Sequence, residues 1–264
     1  MRDDLAGLRR KLALLERTSS PRAALLFPLG CPEVDRALGG GLGRGGLHEV
    51  YAARPADAPA ACGFALALAL QAAAERPFVW VRHDYAGAET GGVYAPGLAE
   101  FGLDAARLIL VRVKTPTDVL RAGAEAAACS SLGAVMMEVW NDAPALDLTA
   151  SRRLSFAGAA SGVTLMMIRE GASPSASAAA SRWSVSGAAS APLEGNAPGR
   201  PAFGITLLRH RNGLPQSSWI VEWDRDRREF DDAAPLARGV ASLSAGGRLA
   251  AAGEGARGGW RKAG

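Results

Sequence analysis

Apolar residues along this chain fall into short continuous runs separated by longer stretches of helical spacing. The runs at 47–52 (LHEVYA), 78–83 (FVWVRH), 107–113 (RLILVRV), 134–140 (AVMMEVW) and 163–169 (VTLMMIR) predict strands. Between them, 61–75, 95–101, 116–130 and 149–160 predict helices, and PEVDRAL at 32–38 predicts a short one with Pro32 in its first turn. The strand runs do not alternate apolar with polar, so both faces of their sheet should be covered by helices. Strands alternating with helices in this order predict an α/β fold built on a doubly wound, mostly parallel sheet. Two further runs, 203–210 (FGITLLRH) and 218–223 (SWIVEW), joined by Asn212-Gly213, predict a C-terminal β-hairpin that closes the sheet.

The flanks have a different character. Leu5, Leu8, Leu12 and Leu15 form an apolar stripe on a predicted helix over 3–17. Two heptads are too few for a helix that stands alone, so the stripe must pack on the body of the chain or on a partner. With its linker this helix makes a segment of 1–22, followed by a core over 23–235 and a basic, Gly/Ala-rich tail over 236–264 that is expected to be disordered. Inside the core, 171–200 is rich in Ser, Ala, Gly and Pro and reads as a mobile loop. Asp224 to Asp232 reads as a charged exit from the last strand.

Composition changes this picture little. The 264 residues are 48% apolar, enough for a sizeable core, and the net charge is +4. Arginine outnumbers lysine 27 to 3, but the basic residues form no single block, and the bias reads as genome composition before phosphate recognition. Cys31, Cys62 and Cys129 have neither metal-site nor disulfide-framework spacing, which fits a reducing cytoplasm. The charged start MRDDLAGLRR has no apolar signal region behind it, and the longest uncharged run, Ala58 to Ala74, is mostly alanine, so no membrane segment is expected.

The stretch between the first long strand and its helix carries the most information. A phosphate-binding loop at that place needs G-x-x-x-x-G-K-[ST]: glycines that let backbone N–H groups close on phosphate, a lysine for the terminal phosphates and a hydroxyl for magnesium. This chain has Ala53, Arg54, Pro55, Ala56, Asp57, Ala58 and Pro59 there, with no lysine, no hydroxyl and no glycine before Gly63. Its prolines remove backbone donors, and Asp57 would repel a phosphate. A formal G-x-G-x-x-G at Gly41, Gly43 and Gly46 lies before the strand instead of after it, so it reads as a turn leading into that strand.

The order of these pieces resembles the core of the RecA family from about Phe27 to Phe230. The resemblance is carried by PLGCPEVDRALGGGLGRGGLHEVY (28–51), YAPGLAEFGLDAARLILVRV (94–113), GAVMMEVW (133–140) at the Walker B strand, RRLSFAGAASGVTLMMIRE (152–170) and LLRHRNG (207–213). Within that superfamily, LHEVYA, VRHDYAGAETGGVYAPGLAEFGLD and RRLSFAGAASGVTL resemble the ImuA family, some members of which are also labelled SulA-like after a cell-division inhibitor. This resemblance implies a RecA-like core behind a leucine-patterned N-terminal helix, frequent loss of the nucleotide motifs, and work in a damage-inducible mutagenesis cassette. The implied partners are ImuB, which is like a Y-family polymerase without its catalytic residues, an error-prone DnaE-type polymerase, and RecA.

Set in that frame, Arg54, Asp57 and Glu138 form a degenerate nucleotide site, with Glu138 standing where the family keeps Asp. His83 and Asp84 stand where relatives place a water-activating glutamate, and read here as a surface cluster. Arg209 and Arg211 align with two family lysines, while Arg182 and Trp183 pair a cation with an aromatic ring inside the predicted loop; these four are candidate DNA contacts. No nucleophile–base pair, metal site or cofactor site is expected. The reading is a non-catalytic adaptor with weak DNA binding at most. A degenerate DNA-dependent ATPase or recombinase using Arg54, and a SulA-like division inhibitor, stay open as alternatives.

Overall fold

A computed structural model describes residues 26–233, apart from 191, 193, 195, 196 and 198. The leucine stripe of Leu5, Leu8, Leu12 and Leu15 and the C-terminal tail lie outside the described residues. A nine-stranded sheet dominates. In chain order its strands are β3 (Leu47–Ala52), β4 (Phe78–His83), β5 (Leu108–Val113), β6 (Ala134–Trp140), β7 (Thr164–Glu170), β8 (Ser181–Gly187), β9 (Ala202–His210), β10 (Ser217–Asp224) and β11 (Glu229–Asp232); a separate two-stranded ladder pairs β1 (Leu26–Phe27) with β2 (Leu42–Gly43). The spatial order is β11-β10-β9-β8-β3-β7-β6-β4-β5, parallel from β8 to β5 and antiparallel from β8 to β11. This is the mixed α/β, mostly parallel architecture expected from the apolar runs and consistent with the RecA-like core that the resemblance implies, with the predicted hairpin present as β9 and β10.

The helices are α1 (Pro32–Leu38), α2 (Ala58–Ala73), α3 (Asp84–Thr90), α4 (Ala95–Glu100), α5 (Pro116–Ala127) and α6 (Leu148–Ser161). Alternate residues of the interior strands β4, β6 and β7 enter opposite cores, as the two-residue period of a strand requires. On β6, Ala134 and Met136 pack in the core beneath α2, while Val135, Met137 and Val139 join the core of α5 and α6. That double burial is why these strands read as unbroken apolar runs.

α2 owes its place to small side chains. Its alanines let it lie close on the sheet: a Cβ on Gly133, at the foot of β6, would come within 2.4 Å of Ala73 Cα. The stretch Pro55–Ala73 is long and apolar enough to cross a membrane by length and composition, but 67% of it is buried inside the protein, as befits a core helix.

The sheet's two margins differ. At one, Phe230 of β11 donates its N–H to Leu29 O at 2.8 Å, and Gly30, at φ +98°, fits where a Cβ would come within 2.7 Å of Glu229 Cβ. At the other, β5 leaves Ile109 and Leu110 exposed, and none of the described strands pairs with its outer side.

The expected mobile loop over 171–200 is corrected by β8. Residues 181–187 form an interior strand between β3 and β9. Its Trp183 and Val185 fill the α2 core, while the alternate Arg182, Ser184 and Ser186 hid the period in a polar background. β8 is also tied to β3 by a complete polar chain: Trp183 Nε1–H donates to Ser181 Oγ at 2.8 Å, Ser181 to His48 Nδ1 at 2.7 Å, and His48 Nε2–H to Gly43 O at 3.0 Å. Burial pushes the His48 pKa down to about 4, which keeps the ring neutral and able to both accept and donate. The predicted charged exit likewise contains a strand, β11, whose Phe230 is fully buried.

Candidate functional site

The site is the junction where β3 runs into α2, together with the charged residues at the ends of β4, β6 and β7. β3 stays in register with β8 up to Ala53, whose N–H donates to Val185 O at 2.8 Å. A single 3-10 turn, Pro55–Asp57, then leads directly into α2, with Pro59 in the helix's first turn. No residue of this connection has a positive φ. The successive N–H groups therefore do not converge into the concave nest that phosphate loops use.

Arg54 and Asp57 face each other across the turn. Arg54 Nε and Nη2 donate to the two carboxylate oxygens of Asp57 at 2.9 and 3.2 Å, and Gly187 N–H at the end of β8 donates to the same carboxylate at 3.2 Å. Asp57 is enclosed while Arg54 lies on the surface. The Arg54 hydrogen bond, followed by that of Gly187, holds the Asp57 carboxyl below its ordinary pKa. The anion at the start of α2 is thus one of the chain's own side chains.

Glu138 is fully buried on β6 and saturated by the neighbouring strand. Arg82 Nε and Nη2 donate to its two oxygens at 2.5 and 2.7 Å, and Trp80 Nε1 adds a third bond at 3.0 Å. Arg82 also donates to Gly91 O at 3.0 Å and lies over the Trp80 ring. Burial opposes the Arg82 charge, but the Glu138 hydrogen bonds and negative charge outweigh it and raise the guanidinium pKa. A carboxylate held by three donors has little left to offer a magnesium ion. No hydrogen bond or ion pair joins Arg54 or Asp57 to Glu138 among the described residues.

Glu170 at the end of β7 is the residue the sequence did not flag. It is 1% exposed, and neither carboxyl oxygen has a hydrogen-bond partner. Burial first, and the Glu138 charge second, raise its pKa to about 8, so it is protonated at neutral pH. Cys62 on α2 feels the same surroundings: burial, and after it the Glu138 charge, push its thiol well up. The described residues hold no group of His, Cys, Asp and Glu arranged to bind a metal.

The remaining candidates separate. Arg182 and Trp183, expected as DNA contacts on a mobile loop, are corrected: Trp183 is fully buried, and Arg182 Nε bonds Glu49 Oε2 at 2.9 Å inside the sheet. A ring in the core has no face for a base to stack on. Arg209 and Arg211 are exposed, with Arg209 Nη1 donating to Ser177 O at 3.2 Å. His83 Nε2 bonds Lys114 O at 3.0 Å and Asp84 pairs with Arg112 at 3.1 Å; both line a cleft of about 490 Å³ with Gly92, Val93 and Leu110.

No family model matches the sequence. Two curated proteins do, both named Protein ImuA and from two strains of Caulobacter vibrioides; each is 34% identical over 221 residues, covering 78% of this chain and 85% of the relative. The chain belongs to the ImuA family. In this ImuA-family chain, the strand and helix that frame a RecA-type nucleotide site are in place, and the turn between them is closed by its own ion pair.

Proposed function

We propose that this ImuA-family protein is a non-catalytic, RecA-like accessory factor of damage-induced, error-prone translesion DNA synthesis. It acts by protein contacts with an ImuB-like Y-family protein, with a DnaE-type polymerase and with RecA. The observation that carries the non-catalytic part is the β3–α2 turn: it lacks glycine, lysine and positive φ, and it places the Asp57 carboxylate beside the α2 N-terminus. A phosphate approaching there would meet that negative charge and the prolines in place of converging donors. The saturated Glu138 supports the same reading. The family relationship supports the cassette and its partners.

The test has two arms on the purified full chain. Titration with labelled ATP and magnesium is expected to show no saturable binding, and co-purification with the two polymerase-like proteins is expected to yield a complex. DNA-stimulated ATP hydrolysis that is lost in Glu138→Gln would overturn the non-catalytic reading in favour of a degenerate ATPase. Absence of any complex at micromolar concentration would remove the adaptor reading.

A further inference from the structure

We infer that the outer face of α6 is a docking surface for an acidic protein partner, anchored by Phe156. The inference rests on the protein-contact reading above and deepens it. α6 buries Ser151, Leu154 and Gly158 and turns Arg152, Arg153, Phe156 and Ala160 to solvent, a spacing that puts those four on one stripe. Phe156 is 76% exposed, more than any other large hydrophobic among the described residues. The two arginines one turn before it have no hydrogen-bond or ion-pair partner among the described residues, although most other arginines among those residues are paired.

Charge complementarity selects the occupant. α6 contains no acidic residue, and the carboxylate at its N-cap, Asp147, accepts the Ala150 N–H at 2.7 Å. Arg209, on β9, is a further exposed cation that reaches the segment bonded to α6. Its guanidinium reaches Ser177 O, and the next residue, Ala178, donates its N–H to Ser151 Oγ on α6 at 3.0 Å. A partner that fits offers an apolar socket for one aromatic ring and carboxylates on the rim beside it. Ala160, one turn beyond the ring, lets a partner's backbone come close.

The surface is also pre-organised. A Cβ on Gly158 would meet Val163 O at 2.8 Å and Gly45 O at 2.9 Å, and Ser161 Oγ donates to Ala127 O at 2.5 Å. With Ser151 bonded by Ala178 near its start and Gly158 and Ser161 packed near its end, the helix loses little freedom when a groove closes over it.

Binding of the full chain to each of the three proposed partner proteins is measured by biolayer interferometry, with thermal melts as a control. Phe156→Ala should melt with the wild type and bind one of the three about 30-fold more weakly, the loss expected of an anchor. Arg152→Gln with Arg153→Gln should bind about tenfold more weakly at low salt and lose most of the salt dependence of the interaction. Wild-type binding that neither variant alters overturns this inference and leaves the adaptor reading standing. No binding by the wild type removes both. Variants that lose a single-stranded oligonucleotide but keep every protein partner overturn it in favour of a nucleic-acid surface.

Discussion

Replacing Glu170 with glutamine should stabilise the protein, and by an amount that depends on pH. Glu170 is buried without a hydrogen-bond partner, and its pKa rises from the ordinary 4.5 to about 8. In the unfolded chain the carboxyl ionises near its ordinary value; in the folded chain it keeps its proton to about pH 8. Between those two points the folded state binds the extra proton, so stability is complete below the lower value and falls as pH rises, by up to about 1.4 kcal/mol per unit. At neutral pH the accumulated loss is on the order of 3 kcal/mol, a large fraction of a typical domain's stability. Glu170→Gln keeps the shape and removes the titration. Urea unfolding of both proteins should therefore give similar midpoints near the ordinary carboxyl pKa, and a gap in favour of the variant that widens steadily toward about pH 8. Stability curves that run parallel across this range would refute the reasoning, because they would mean that Glu170 is solvated or paired in solution. Glu138→Gln supplies a cross-check: with the neighbouring negative charge gone, the loss of stability due to Glu170 should level off at a lower pH.

Three other outcomes are expected, two from the structure and one from the leucine pattern of the sequence. Arg82→Met should destabilise by about 3–5 kcal/mol in urea unfolding, since it strands the buried Glu138 charge, and adding Glu138→Gln to that variant should recover part of the loss. Gly158→Ala should lower the melting temperature, because its Cβ would press on the carbonyls of Val163 and Gly45; the cost is about 1–3 kcal/mol. Leu8→Glu with Leu12→Glu should abolish a partner contact or self-contact in co-purification while the circular dichroism and melt of the core stay as in the wild type; global unfolding would instead make the stripe part of the core.

The strands β3, β4 and β6 occupy the ranges that their apolar runs predict, because residues buried on both faces leave a signal that does not depend on partners distant in sequence. β8 did not, and the reason is chemical. Four of its seven residues are polar or charged, and the charge of Arg182 inside the sheet is neutralised by Glu49, 133 positions earlier. No local window contains that pair. Glu138 shows the same limit at the candidate site: its position at the Walker B strand could be read, but its occupation by Arg82 and Trp80 depends on β4 and β6 lying side by side. The missing glycines and lysine of the β3–α2 turn were visible in the residues themselves. That Asp57 is shared by Arg54 and Gly187 was not, since Gly187 belongs to the strand hidden in the Ser/Ala-rich stretch.

The unlike margins of the sheet set a limit on growth. A strand arriving at β11 finds the N–H of Phe230 already taken by Leu29 and meets the carboxylates of Glu229, Asp231 and Asp232. A strand arriving at β5 finds free backbone and two bare aliphatic side chains. Two copies meeting through β5 would use up the open margin of both and present only closed, acidic ends. Among the described residues of the nine-stranded sheet, edge pairing through β5 would therefore stop at a pair.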